Sequence, residues 1–149
     1  MLEIIDEVNT VIANDVSLWV RISATDWVDG GWDIQQSVQL VKILQTKNVD
    51  VIDTSSGGLV PYAKIPVAKS YQVPFARQIK KETGIITGAV GFIIEARQAE
   101  EILQNNEVDL IFIARELLRN PYFPLHAAEI LKDDTEWVPQ YVRAKKERI

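Results

Sequence analysis

The sequence contains no cysteine, which excludes disulfides and any thiolate-based metal or redox centre. It has a single histidine, His126, too few for a histidine-built metal site, and it carries no HExxH, P-loop or GxGxxG pattern. No apolar run approaches membrane-spanning length. Positive charge is in deficit, with 16 Lys and Arg against 21 Asp and Glu and a net charge of -5, so there is no general attraction for nucleic acid or an anionic membrane. The opening Met1-Leu2-Glu3-Ile4-Ile5-Asp6 lacks the basic start and apolar core of a secretory signal. Composition therefore predicts a soluble, cytoplasmic protein, and 149 residues allow one domain with a real core.

What the sequence does have is a repeat. Val49-Asp50-Val51-Ile52-Asp53-Thr54-Ser55-Ser56-Gly57-Gly58 reads as a short buried strand running into a loop of small, hydrogen-bonding residues. Val108-Asp109-Leu110-Ile111-Phe112-Ile113-Ala114-Arg115 repeats it: Val-Asp, a run of branched apolar residues, then a position suited to a polar ligand. Continuous apolar strands suit a parallel sheet covered on its faces, and such sheets bind ligands beyond the carboxyl ends of their strands.

Taken in order, Leu2, Ile5, Val8 and Ile12 recur at helical spacing and predict an amphipathic helix ending near Asn14-Asp15. Strands are predicted over 18–23, 49–53, 85–89 and 108–113. Between them, Asp33 is a candidate cap for a helix with Ile34, Val38, Val41 and Leu44 on one stripe, and Pro74 opens a second helix. Residues 95–103 form a third helix, 115–118 a helical turn, and Pro124 opens a last helix to about Leu131. Residues 55–72 make a long polar loop of the kind that often carries function. The division is thus a domain over 1–132 and a charged, extended arm over 133–149.

One helix followed by four βα units is about half of a (β/α)8 barrel, which typically needs about 250 residues. The fold class expected is therefore α/β, a partial TIM barrel; a complete four-stranded α/β sandwich is the competing architecture. Val20-Arg21-Ile22-Ser23-Ala24, 49–57, Gly88-Ala89-Val90-Gly91 and 111–121, in that order, resemble the Old Yellow Enzyme family, and within it the bacterial NADPH dehydrogenase branch. The resemblance covers nearly the whole chain but only the carboxyl-terminal half of that family.

The resemblance implies an FMN-containing flavoprotein, an oxidoreductase that takes hydride from NAD(P)H and reduces activated C=C bonds. It implies Arg21 at the flavin pyrimidine, where a cation offsets negative charge; an internal ion pair with Asp53 or Asp26 is the alternative role. Ser55, Ser56 and Gly57 would lie against the isoalloxazine, or serve only as a turn. Gly91, Ala114 and Arg115 would hold phosphate, although the family usually has glycine where this chain has Ala114, which is tolerated only if φ there is negative. Arg143 would reach a neighbouring subunit's active site, or be a solvated charge. His126 and the four tryptophans are read as ordinary surface or packing residues.

The family's substrate-anchoring histidines and proton-donating tyrosine belong to the missing half, so no catalytic residue is assigned and the fragment alone is expected to be inactive. The expected partners are an amino-terminal half-barrel or a second copy, with an enone as small-molecule substrate. A non-catalytic half-barrel remnant or an oligomeric phosphate-binding module is the alternative.

Overall fold

A computed structural model describes residues 1–145. The order is α1 (Leu2–Val11), β1 (Trp19–Ser23), α2 (Ile34–Gln45), β2 (Val51–Ser55), α3 (Val73–Thr83), β3 (Ile86–Ala89), α4 (Ala96–Gln104), β4 (Leu110–Ile111), α5 (Arg115–Arg119), α6 (Phe123–Leu131) and a 3-10 turn, Val142–Ala144. The strands form one parallel sheet in the order β1-β2-β3-β4, the α/β arrangement expected of sequential βα units.

The two faces of the sheet differ, and strand alternation assigns them. Ile22, Val49, Ile52 and Ile85 pack against Ile5 of α1, Val38, Val41 and Leu44 of α2 and Ile79 of α3. A second cluster joins Ala89 and Val108 to Val73, Ala76 and Ile102 from α3 and α4. Both of these clusters lie on one face, and among the described residues no helix belongs to a core cluster on the other. In register across it lie Trp19, Val51 and Ile86 in one row and Arg21, Asp53, Gly88 and Leu110 in the next. Trp19 and Ile86 are each 49% exposed. Phe112 folds back over Gly88, where a Cβ would strike its ring, and meets Trp19 edge to face at 6.0 Å. The inward face is therefore roofed in part by two aromatic rings from the same chain.

The repeated Val-Asp has a shared structural cause. Asp50 Oδ2 accepts the Leu18 N–H at 2.7 Å while the Asp50 N–H donates to Leu18 O at 2.9 Å. Asp109 makes the same pair with Thr87, at 2.9 Å each way. In both repeats valine enters the core and the aspartate clamps the start of a strand to its neighbour, which sets the parallel register.

Burial pushes the Asp109 carboxyl upward, but the Thr87 N–H and Lys80, whose Nζ lies 2.9 Å from Oδ1, together hold it below the ordinary carboxylate value. A depressed folded pKa means stability present above the unfolded value and lost as pH falls through the folded one. Asp109→Asn should therefore cost about 1 kcal/mol at neutral pH, allowing for screening of a side chain 35% exposed. Urea unfolding should show that difference closing in acid; an equal difference at both pH values would remove the clamp's electrostatic part.

Several element boundaries depart from expectation. The first helix stops at Val11. Strand β2 begins later and runs on through Ser55, because Ser55 still pairs with Ser23. Strand β4 covers only Leu110–Ile111: at the sheet edge it has one neighbour, and flanking single bonds from Asp109 N to Thr87 O and Phe112 N to Ala89 O do the rest. The arm is not simply extended. Tyr141 packs on Tyr122, the residue just before α6, at 5.5 Å, and Lys145 pairs with Asp134 at 2.5 Å. Residues 146–149 of the expected arm lie outside the described residues.

Candidate functional site

At the carboxyl ends of the strands is a cleft of about 280 Å³ whose walls include Arg21, Ser55, Gly91, Ala114 and Arg115. Five of the residues singled out in the sequence thus converge from the four βα units: Arg21 from within β1, Ser55 at the end of β2, Gly91 after β3, and Ala114 and Arg115 after β4. They converge because the strands are parallel and in register, so every βα loop opens on the same side. The volume sits just below the range usual for whole-ligand pockets, which suits one end of a nucleotide-sized ligand.

Arg21 projects from the helix-free face, and its Nε donates to Asp53 Oδ2. Both suggested roles are therefore compatible, since the bond uses Nε and leaves the terminal nitrogens to a ligand. The guanidinium side chain is 57% exposed and lies over the Phe112 ring at 5.9 Å. Asp53 is only 6% exposed, and burial pushes its carboxyl above the ordinary value, with the Arg21 hydrogen bond and charge opposing this. Its Oδ1 is buried with no partner among the described residues.

The opposite end is built of backbone. Gly91 has φ +119°, and a Cβ there would come within 2.6 Å of Gln72 Nε2 and 2.9 Å of Tyr71 Cε1, so only glycine fits without displacement. Ala114 precedes α5 with φ −115° and ψ −83°: φ is negative, the condition for tolerating alanine there, while the pair lies outside the ordinary helical and extended regions. Among the described residues, the N–H groups of Gly91, Phe92, Ala114 and Arg115 have no protein acceptor. Arg115 has no ion-pair partner among the described residues, whereas Arg119, also in the wall, is paired with Glu116 at 2.8 Å. Unpaired N–H groups around a free guanidinium suit an anion, and phosphate fits that donor set.

Three of the residues singled out in the sequence are placed elsewhere. The Ser56 hydroxyl donates to Gln72 Oε1 at 2.6 Å and accepts from Trp27 Nε1 at 3.0 Å, behind the wall residue Gln72 and not itself in the cleft wall. Gly57, with φ +73°, is covered by Ile65, whose side chain occupies the space a Cβ would need. Arg143 lies in the 3-10 turn, exposed and outside the cleft. His126 lines a separate groove between α4 and α6. Tyr71, Gln72 and Phe112 are wall residues that sequence reasoning passed over. The signal for Gln72 was faint: a polar residue directly before Val73-Pro74, at the start of the helix that Pro74 opens.

A model of the NADH:flavin oxidoreductase / NADH oxidase family matches residues 1–134. The chain is 51% identical over 142 residues to an NADPH dehydrogenase of Halalkalibacterium halodurans, covering 95% of this chain and 41% of that protein. It therefore spans about two fifths of that relative's length. Among solved structures it is similar to a 2-naphthoyl-CoA reductase in complex with 2-naphthoyl-CoA, with a TM-score of 0.75 at 19% identity, over 86% of this chain and 20% of that one. It is also similar to an enolase protein from Sargasso Sea environmental sequencing, with a TM-score of 0.56 at 12% identity, over 89% of this chain and 32% of that one. The first of these is a barrel-type reductase, and the likeness agrees with part of a barrel. No helix among the described residues is long and apolar enough to cross a membrane.

Proposed function

This chain belongs to the NADH:flavin oxidoreductase / NADH oxidase family, and from that premise we propose that it is the carboxyl-terminal part of an FMN-dependent NAD(P)H oxidoreductase acting on activated C=C bonds. The observation that carries the reading is the two-ended cleft: Arg21 and Ser55 at one end, the free N–H groups of Gly91 and Ala114 with Arg115 at the other. When bound, FMN would supply hydride acceptance from a nicotinamide and hydride delivery to an alkene. Arg21 would hold the pyrimidine end, its side chain kept in place by Asp53. The backbone N–H groups with Arg115 would hold the phosphate.

Titration of the polypeptide with FMN and with riboflavin, followed by flavin fluorescence, tests this. The two differ only in the phosphate, so FMN should bind at least about tenfold more tightly, the size of one charge-assisted contact. Equal affinities, or no binding of either, would sink the reading.

The helix-free face supports a partner. Trp19 and Ile86 leave apolar surface in water, and among the described residues β1 and β4 are unpaired edges and Asp53 Oδ1 is buried without a donor. An amino-terminal half-barrel would cover the face and close the edges, and a second copy is the substitute when that half is absent. Light scattering at micromolar concentration should accordingly give a mass above the 16.9 kDa of one chain. A clean monomer would count against an open half-barrel.

A further inference from the structure

We propose that Gln72 is a positioning residue, tying the loops that follow β1, β2 and β3 into one frame and so setting the spacing between the two ends of the cleft. The inference rests on the flavin reading above.

A ligand held at both ends needs those ends fixed to about half an ångström, and separate βα loops do not provide that unaided. The Gln72 carboxamide is positioned to do so. Gln72 is 3% exposed and uses both ends of its amide: Nε2 donates to Val90 O at 2.9 Å, and Oε1 accepts the Ser56 hydroxyl at 2.6 Å. Ser56 in turn accepts the Trp27 indole N–H at 3.0 Å. One chain of hydrogen bonds thus crosses from the loop after β1 to the loop after β2, and on to the loop after β3.

Polarity fixes its direction. An indole can only donate and a carbonyl can only accept, so the hydroxyl proton must go to Gln72 and the amide nitrogen must face Val90. A flipped carboxamide would set oxygen against oxygen at Val90 and leave a buried group unsatisfied.

Two further contacts mark the residue as built into the cleft and not into the helix behind it. Gln72 stands at the N-cap of α3 yet makes no side-chain cap bond. Its carboxamide instead passes beneath Gly91, close enough that a Cβ at Gly91 would meet it at 2.6 Å. Beside it, Tyr71 stacks on Trp27 at 6.5 Å with 30° between planes, a second link between the segment that carries Gln72 and the loop after β1.

The test uses Gln72→Met, which keeps length and removes both polar ends without adding charge, and Ser56→Ala, which cuts the chain at a residue outside the cleft wall. FMN and riboflavin are titrated into each, and amide hydrogen exchange over 90–92 is read without ligand. Each variant should lower the FMN-to-riboflavin affinity ratio, Gln72→Met by about tenfold and Ser56→Ala by about threefold, the scale of one or two hydrogen bonds. Exchange over 90–92 should rise in both, and Ser56→Thr, which restores the hydroxyl, should recover most of the ratio. A merely structural role would weaken both flavins alike. A ratio within twofold of the wild type, or unchanged exchange over 90–92, overturns the proposal. If the wild-type chain binds neither flavin, the reading of the site fails separately, and unchanged exchange then overturns the frame as well.

Discussion

A polypeptide of these 149 residues is expected to oxidise NADPH no faster than free FMN does, with or without cyclohexenone as acceptor. On the proposed reading the chain would meet a flavin nucleotide from one side only: the cleft walls come from β1 to β4 and the segments after them, and among the described residues no strand lies beyond either edge of the sheet. Reduction of an alkene requires nicotinamide and then substrate held in near-attack geometry, and such positioning is worth on the order of 10⁵-fold or more. Trp19 and Phe112 lie edge to face over part of the helix-free side. Adding the amino-terminal part of an intact relative should restore turnover, with acceptor-dependent NADPH loss followed by absorbance. Turnover by the isolated chain above free FMN would refute the division of labour proposed for the two halves.

Arg115→Ala should weaken FMN by roughly 1.5 to 3 kcal/mol, the range of a charge-assisted contact, while Arg119→Ala should cost much less. The two arginines lie four residues apart at the ends of α5 and both border the cleft, so composition alone treats them as equals. Their surroundings separate them. Arg119 donates through Nε and pairs through Nη2 with Glu116, and its charge is already balanced. Arg115 has no such partner among the described residues and sits next to N–H groups that lack acceptors. Riboflavin, which has no phosphate, should be insensitive to either change. Equal losses from both variants would indicate a diffuse basic surface in place of a site.

The fold was legible because its signals are local. The stripe Ile34, Val38, Val41, Leu44 needs only the helical period to be recognised, and Asp33 forms a capping box with Gln36 in the structure. The strand cores and their parallel order followed from apolar runs alternating with helices, and Val-Asp marked two strand starts whose aspartates prove to be clamps. Strand ends were less legible: β2 continues to Ser55 through pairing with Ser23, and β4 shrinks to two residues because it lies at an edge.

At the site, what the sequence by itself determined was the chemistry on offer: Arg21 in an apolar strand, small residues after β2, Gly91 after β3 and Arg115 after β4. Parallel strands bring those ends together whatever the details of the loops. Only the tertiary structure decided how each side chain is used. Ser55 and Ser56 are neighbours of the same type, yet one lines the cleft and the other is enclosed between Trp27 and Gln72, residues far from it in sequence. Arg21 could have paired with Asp26 or Asp53, and register settled it, because Arg21 and Asp53 lie opposite each other on one face of the sheet. Hydrogen bonds and ion pairs between distant segments depend on register and loop path, which arise from packing of the whole chain and leave little trace in any short stretch of it.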